Sequence, residues 1–501
     1  MGRGKVSVKI TKNAIAIDNK EDFFLCGEIH YFRIPKKDLR RRLELLKAAG
    51  LKGVGVYIPW ALHEEREGMF DFEGNTDERK DLIGFLELTN ELGLYVVARP
   101  GPWICSEFKH GGFPGWLFKK HPEIKSLNAK GKVTNAIYYT PVSYLHPTYL
   151  KYAKRWLSEV AKVLRGYLIT NGGNIVMVQI DNEICYFFNS DLFGADYNPE
   201  NIKRFKSMYG YEPPIKAGKS IDDLKKIFAW IEFKENTIAE YMEILVKYLE
   251  KEGINVPFVT NEPYNVIGAG SSALITSPPA NWYKKSKVVY DTIDAYPMNI
   301  SRSLIPYFIN SIEKLKAQQP DKPPGILEAQ AGWFIPVFMV HPSDTDLYSA
   351  LAVAHGVNLI NYYVFSGGTT PKNYGMPTWK YYDFEAPLGM AGDIRARYRV
   401  ICYHGKVIKA LGDKIVRTKK VSDLNIGYYH QYEYMIDRSS GIPEEYGLKL
   451  DVRKEMMEFE KILERSLIMR GYNYTLVDVC LLYTSDAADE LDGVDLGGRR
   501  I

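Results

Sequence analysis

Eight short apolar runs, each followed by a stretch of helical periodicity, constrain this chain more than any other feature. They are FFLCGEIHYF (23–32), GVGVYIPW (53–60), LYVVARPGP (94–102), NIVMVQIDNE (174–183), VPFVTNE (256–262), VVYDTIDAYP (288–297), GILEAQAGW (325–333) and LINYYVFSGG (359–368). Amphipathic patterns such as KKDLRRRLELLKAAG, ERKDLIGFLELTNELG and LKKIFAWIEFKENTIAEYMEILVKYLEKEG separate them, the first ending on Gly50 and the last on Gly253, each placed like a helix C-cap. Runs that are apolar throughout, rather than alternating, belong to strands covered on both faces, and strands joined through helices run parallel. Eight such α/β units predict a (β/α)8 TIM barrel. An open doubly wound sheet would call for a Gly-rich phosphate turn after the first strand, and Gly367–Gly368 alone does not make one.

In such a barrel the chemistry sits at the C-terminal ends of the strands, and the polar residues of the strand-like runs fall there. The first run carries Glu28 and His30, the second Tyr57 and Trp60 followed by His63 and Glu64, and the third opens into RPGPWICSEF with Glu107. The fourth ends in Asp181, Asn182 and Glu183, and the seventh carries Glu328. Two carboxylates from different strands facing one cavity, Glu183 and Glu328, are what glycosidic bond cleavage needs: one protonates the leaving oxygen and the other attacks or stabilises an oxocarbenium-like centre. Asp181, one position before Asn182, is expected on the opposite side of the strand and in a structural role. His30 and His63 lack an HxxxH spacing or a third ligand nearby, so no metal is expected.

The remaining composition is ordinary and excludes several classes. At 501 residues the chain suits one large domain and a second piece. A net charge of +4 without a basic block gives nucleic acid no concentrated surface. No stretch of about 18 apolar residues predicts a membrane span, and the opening MGRGKVSVKITKN does not read as a signal peptide. Cys26, Cys105, Cys185, Cys402 and Cys480 are scattered, odd in number and without CxxC spacing, as in a cytoplasmic protein with reduced thiols. The 36 tyrosines and the many Lys, Glu and Ile residues are of a kind that heat-adapted proteins favour.

Past residue 412 the pattern changes. NIGYYHQYEYMI, VRKEMMEFEKILERSLIMRG and YTLVDV read as strand, helix and strand, half of a β-α-β unit. The expected division is a barrel over 1–412, a partial α/β domain over 413–480 and a tail over 481–501. That tail has no lysine, and CLLYTSDAADE resembles sequencing-adapter sequence translated in frame. The expectation is therefore a longer natural chain interrupted near Val479 and a non-native tail, with a genuine acidic tail as the alternative.

Several stretches together resemble glycoside hydrolase family 35, the β-galactosidase family. They are GEIHYFR (27–33), YIPWALHE (57–64), GMFDFEGNTD (68–77), RPGPWICSEFKHGGFPGWL (99–117), VQIDNE (178–183), LEAQAGW (327–333), FSGGT (365–369) and YYDFEAPLGMAGD (381–393), in family order across about residues 20–412. The resemblance implies retaining, exo-acting hydrolysis of terminal β-linked galactose on a (β/α)8 barrel, without a cofactor. By position it makes Glu183 the general acid/base and Glu328 the nucleophile. Tyr57, Ser106 and Glu107 match positions that hold sugar hydroxyls. Asn182, next to the acid, is placed to hydrogen-bond the sugar 2-hydroxyl, against the plainer alternative of a strand-ending amide that satisfies backbone groups. Trp333 and Tyr363 are candidates for stacking on the pyranose, against the plainer alternative that they are core. For Glu107 the plainer alternative is an ion pair with Lys109 or Arg99.

The chain departs from the well-known β-galactosidases at Ala61, where they carry Asn, at Phe384, where many have Tyr, and at Gln330, where an aromatic is usual. Some archaeal members remove glucosamine instead, and an Asp beside the acid would pair with that sugar's ammonium. Asn182 is neutral and favours a 2-hydroxyl sugar. The readings carried forward are a β-galactosidase, an exo-β-D-glucosaminidase or other β-glycosidase, and a non-catalytic carbohydrate-binding barrel. Residues 413–480 resemble the start of the flavodoxin- or amidotransferase-like domain of related microbial enzymes, which implies a possible homo-oligomer through that region.

Overall fold

The eight apolar runs form one closed parallel barrel. In this computed structural model, which describes residues 6–134, 139–184, 186, 192–216, 220–262, 289–297, 305–332, 340–376, 380–429 and 466–479, its strands are β1 (Phe24–Glu28), β2 (Gly53–Tyr57), β3 (Tyr95–Arg99), β4 (Ile175–Gln179), β5 (Phe258–Glu262), β6 (Val289–Ala295), β7 (Gly325–Gln330) and β8 (Leu359–Tyr363). Each pairs with the next in chain order, and β8 closes on β1 through Leu359 opposite Phe24. Almost every residue of these strands is buried, because side chains fill the barrel on one face and helices cover the other.

The helices fall between the strands as the amphipathic patterns predict. They are α1 (Lys36–Ala48), α2 (Leu82–Glu91), α3 (Pro147–Leu164), α4 (Ile221–Lys251), α5 (Ile305–Gln318) and α6 (Pro342–Ala354), with α7 (Ala396–Ile415) after β8. The link from β5 to β6 lies outside the described residues. Gly50, at φ 87°, and Gly253, also at 87°, terminate their helices in the left-handed conformation that glycine adopts at least cost. Helix α4 starts on a capping box in which Ser220 and Asp223 satisfy each other's backbone amides.

The N-terminal end of the barrel is closed by a three-stranded antiparallel sheet, Val8–Ile10, Ile15–Ile17 and Lys20–Asp22. Asn358, just before β8, donates to the carbonyl of Asn13 and ties the sheet to the barrel floor. No described helix is long and apolar enough to cross a membrane. Cys26 and Cys105 are buried free thiols and Cys402 is a partly exposed one; Cys185 and Cys480 lie outside the described residues.

Beyond α7 two further strands, β9 (Leu424–Tyr428) and β10 (Tyr474–Asp478), pair in parallel over five residues. Their inner face, Tyr428, Tyr474 and Leu476, packs on Ile309 and Ala317 of α5. Most of the helix expected between them, and all of 481–501, lies outside the described residues.

An indole pair braces the wall next to the barrel mouth. Trp156 of α3 stacks on Trp60 at a centroid distance of 5.9 Å, and its Nε1 donates to the carbonyl of Pro100 at 2.8 Å. Trp156→Ala removes a fully buried indole and orphans that carbonyl, so it should cost about 3–5 kcal/mol, read as a lower thermal midpoint against the parent chain.

Candidate active site

At the C-terminal end of β4 the strand stops at Gln179, earlier than the sequence suggests, and the backbone turns left-handed at Asp181 (φ 53°) and again at Glu183 (φ 40°). These turns, rather than the alternation of a pleated strand, send the three polar side chains in different directions. Asp181 faces away from the mouth. Its carboxylate accepts from the Trp103 amide and the Tyr241 hydroxyl, each at 2.7 Å, and from the Asn182 amide at 3.1 Å. Burial pushes its pKa up to about 7, with the Tyr241 hydroxyl and the two amides pulling it down.

Asn182 is held by its carbonyl. That oxygen lies 2.7 Å from the Tyr57 hydroxyl oxygen and accepts from Asn261 at 2.9 Å and from Arg99 and Gln179 at 3.1 Å each. The amide nitrogen is thereby aimed at Glu183 Oε2, 3.1 Å away. The Glu183 backbone amide donates to Asn261 Oδ1 at 3.1 Å, so Asn261 of β5 positions both neighbours.

Glu328 on β7 meets three donors. Tyr57 donates to Oε1 and Tyr296 to Oε2, and the Arg99 guanidinium reaches Oε1 at 2.5 Å. These are the surroundings of an ionised carboxylate. Arg99, fully buried at the end of β3, also pairs with Glu28 at 3.2 Å, donates to Gln179 and lies 3.8 Å from the centre of the Tyr57 ring. Glu28 takes a further hydrogen bond from Asn361 of β8 at 2.7 Å.

Across the mouth, Glu183, Asp294 and Glu328 present carboxylate oxygens that all lie within 4.8 Å of one another. Among the described residues this is the group that could share a metal ion. The oxygens of Glu328 are already engaged by a guanidinium and two hydroxyls, and Asp294 Oδ2 accepts from Asn261 at 2.5 Å. Crowding of this kind is relieved by protonation. Burial first, then the charge of Glu328, raises the pKa of Glu183 to about 8, and the same causes hold Asp294 well above the carboxylate range.

Ser106 and Glu107 occupy the loop after β3, where Cys105, Ser106 and Glu107 all have φ between 45° and 53°. Three successive non-glycine residues in that region store strain that surrounding contacts must hold. Arg33 supplies them, donating to Ser106 Oγ at 2.8 Å and to its carbonyl at 2.5 Å while packing 3.7 Å from the centre of the Tyr382 ring. Glu107 pairs with neither Lys109 nor Arg99. Burial pushes its pKa up to about 7, and its bond to Tyr382 and the charge of Arg33 pull it back. Tyr363, at the end of β8, shares a 2.5 Å hydroxyl contact with Tyr382 and stands edge-on to Tyr57 and Phe384. Trp333 lies outside the described residues.

The two histidines are framework. His63 lies 2.5 Å from the Tyr31 hydroxyl, stacks on Phe72, and is lowered to about 4 by burial. His30 bridges Arg33, at 2.7 Å, and Glu28, at 3.5 Å.

The structure thus gathers Tyr57, Asn182, Glu183, Glu328 and Tyr363 in one place, with Ser106 and Glu107 along its edge. Sequence reasoning missed Asn261, Asp294, Tyr296, Asn361 and Tyr382, and gave Arg99 no role at the site. The signal for two of them was present, since DTIDAYP ends a buried strand in an acid and a tyrosine, as VQIDNE ends in acids.

The sequence profile described as "Glycosyl hydrolases family 35" matches residues 14–269. The chain belongs to that family. It is 32% identical over 442 residues to an exo-β-D-glucosaminidase of Pyrococcus horikoshii, covering 83% of this chain and 56% of that protein. To a β-1,2-glucosyltransferase of Ignavibacterium album it is 31% identical over 490 residues, covering 91% and 68%. A solved β-galactosidase from Bacillus circulans superposes with a TM-score of 0.67 at 17% identity, covering 91% of this chain and 65% of the other, a likeness of fold. The family 35 chain described here therefore spans a little over half the length of the Pyrococcus relative.

The packing behind Arg99 leaves no room for a methyl group. A Cβ at Gly55 of β2 would collide with Glu28 Oε2 and lie 2.7 Å from Asn361 Nδ2. Gly55→Ala should cost about 1–3 kcal/mol through overpacking, measured as a lower denaturant midpoint at unchanged m-value.

Proposed function

We propose that this chain is the catalytic portion of an exo-acting, retaining β-glycosidase that releases terminal β-D-galactose, with Glu328 as nucleophile and Glu183 as general acid/base. The observation that carries the reading is the approach of the Glu183 and Glu328 oxygens to within 4.8 Å. Carboxyl groups about 5–5.5 Å apart suit double displacement, whereas inverting enzymes hold theirs about 6.5–9.5 Å apart to admit a water.

The division of labour follows from the surroundings. Glu328, fixed by Arg99, Tyr57 and Tyr296, is held in the form and orientation that attacks an anomeric carbon. Glu183, raised to about 8 and partly open to the cleft, keeps a proton at neutral pH and can give it to the leaving oxygen. As a carboxylate it then takes a proton from the water that cleaves the glycosyl-enzyme. Tyr57, Asn182, Ser106, Glu107 and Tyr363 are read as sugar contacts, and Asn182, with an amide nitrogen at the mouth, as the partner of a 2-hydroxyl. Residues 413–480 are read as the start of a second α/β domain, which the parallel pairing of β9 and β10 supports.

One observation favours a second reading. The Pyrococcus relative, matched over most of this chain, is an exo-β-D-glucosaminidase, so a 2-amino sugar is the alternative substrate.

Proton NMR of p-nitrophenyl β-galactoside and β-glucosaminide cleavage tests these readings. Early appearance of β-galactose is expected; early β-glucosamine would keep the mechanism and change the sugar, and an initial α-anomer would overturn retention. Because Glu183 must be protonated to act, kcat/KM should fall as pH rises through about 8. Glu183→Gln should lose about 10²–10⁴-fold on alkyl glycosides and far less on activated aryl glycosides, compared by initial rates on the two classes. Glu328→Gly should lose hydrolysis on both, with azide restoring turnover as an α-glycosyl azide.

A further inference from the structure

Asp294 is an acid that the reaction above does not use. It sits on β6 directly opposite Glu328 of β7 in the sheet register, almost wholly buried, with its carboxyl turned into the barrel mouth. One oxygen, Oδ2, accepts from Asn261 at 2.5 Å. The other, Oδ1, is buried and meets no N–H or O–H donor among the described residues. The Asp294 carboxyl stands against that of Glu183, with oxygens of the two groups within 4.8 Å and in hydrogen-bond contact.

Two facing carboxyls satisfy each other only if one carries a proton, since a pair of bare anions at hydrogen-bond range is strongly repulsive. The groups facing Asp294 decide which one. Glu328 from β7 is an anion held by Arg99, Tyr57 and Tyr296. Arg99 from β3, the cation near it among the described residues, is shared with Glu28. Tyr296, just past the end of its own strand, and Tyr348 from α6 are neutral hydroxyls held above their ordinary range by burial. Glu183 is partly open to the cleft and exchanges its proton with substrate, whereas Asp294 is almost wholly buried. The proton that stays belongs to Asp294.

We propose that Asp294 is a positioning residue that remains protonated through the catalytic cycle and donates its O–H to Glu183. In the first step the Glu183 proton goes to the leaving oxygen, and the carboxylate left behind is received by the Asp294 O–H. In the second step Glu183 takes a proton from the attacking water, and Asp294 still holds its own. The buried acid thus steadies the charge that appears on Glu183 without taking part in the proton balance. This rests on the reading of Glu183 as acid/base.

The experiment is the pH profile of kcat/KM on the p-nitrophenyl glycoside the parent chain cleaves, for Asp294→Leu, Asp294→Ala and Asp294→Asn beside Glu183→Gln. Removing the donor destabilises the Glu183 carboxylate, so the basic limb of the Leu and Ala variants should move up by about one pH unit. Asparagine restores an N–H donor but cannot ionise, and should return the limb to the parent position with rates recovered. A limb that falls in Asp294→Asn would show an ionised Asp294 in the parent and overturn the proposal. So would a rate loss with an unmoved limb in all three, which is what a purely structural role gives. Should Leu and Ala fail to fold, Asp294→Asn alone still decides, by a limb that stays or falls. If Glu183→Gln loses equally on alkyl and aryl glycosides, the acid/base reading fails instead, independently of the Asp294 result.

Discussion

The barrel mouth is organised around one buried guanidinium. Arg99 carries the charge that lets Glu28 and Glu328 sit without solvent, and its remaining N–H groups reach Gln179 and Asn182. A buried cation with unpaired donors would be costly, and buried carboxylates without it more so. Planar geometry suits the task, because a fork of donors reaches Glu328, Gln179 and Asn182 and pairs with Glu28 while the flat face rests on Tyr57. Lysine at this position would offer one point charge in place of that fork.

Charge accounting explains why neighbouring acids behave so differently. Among the described residues, Glu28, Glu107, Glu183, Asp294 and Glu328 surround two guanidinium groups, Arg33 and Arg99, so the carboxyl with the most donors takes the anionic role and others are driven towards the neutral form. Glu183 and Asp294 show that drive, both raised first by burial and then by the charge of Glu328. Asp181 is acidic, adjacent and almost wholly buried, yet its three donors make it a brace for the Trp103 loop and for Tyr241 of α4.

Much of this was legible in the amino-acid order, and for identifiable reasons. Strands buried on both faces have no alternation to hide, so LYVVARPGP and NIVMVQIDNE announce themselves, and glycines at 50 and 253 mark where helices must stop. Glu183 and Glu328 stand out because acids at the ends of apolar strands need a reason. What the sequence concealed was partnership at long range. Asn261 looks like a polar strand end and is the link among Asn182, Glu183 and Asp294; Arg33 lies in GEIHYFR and holds the strained loop at Ser106 more than seventy residues away. The exit of β4 was read as a continuing pleat, whereas left-handed turns at Asp181 and Glu183 aim the acids, and no periodicity encodes such turns in non-glycine residues.

Tyr57 has a hydroxyl with a single hydrogen and two acceptors, Glu328 Oε1 and the carbonyl of Asn182. The hydrogen goes to whichever acceptor is the more negative. While Glu328 is an anion it holds that hydrogen; if its charge is consumed in a bond, the hydroxyl is free to turn to Asn182. The same phenol would then report the state of one side of the cleft to the other by a rotation about its C–O bond, with no movement of the backbone.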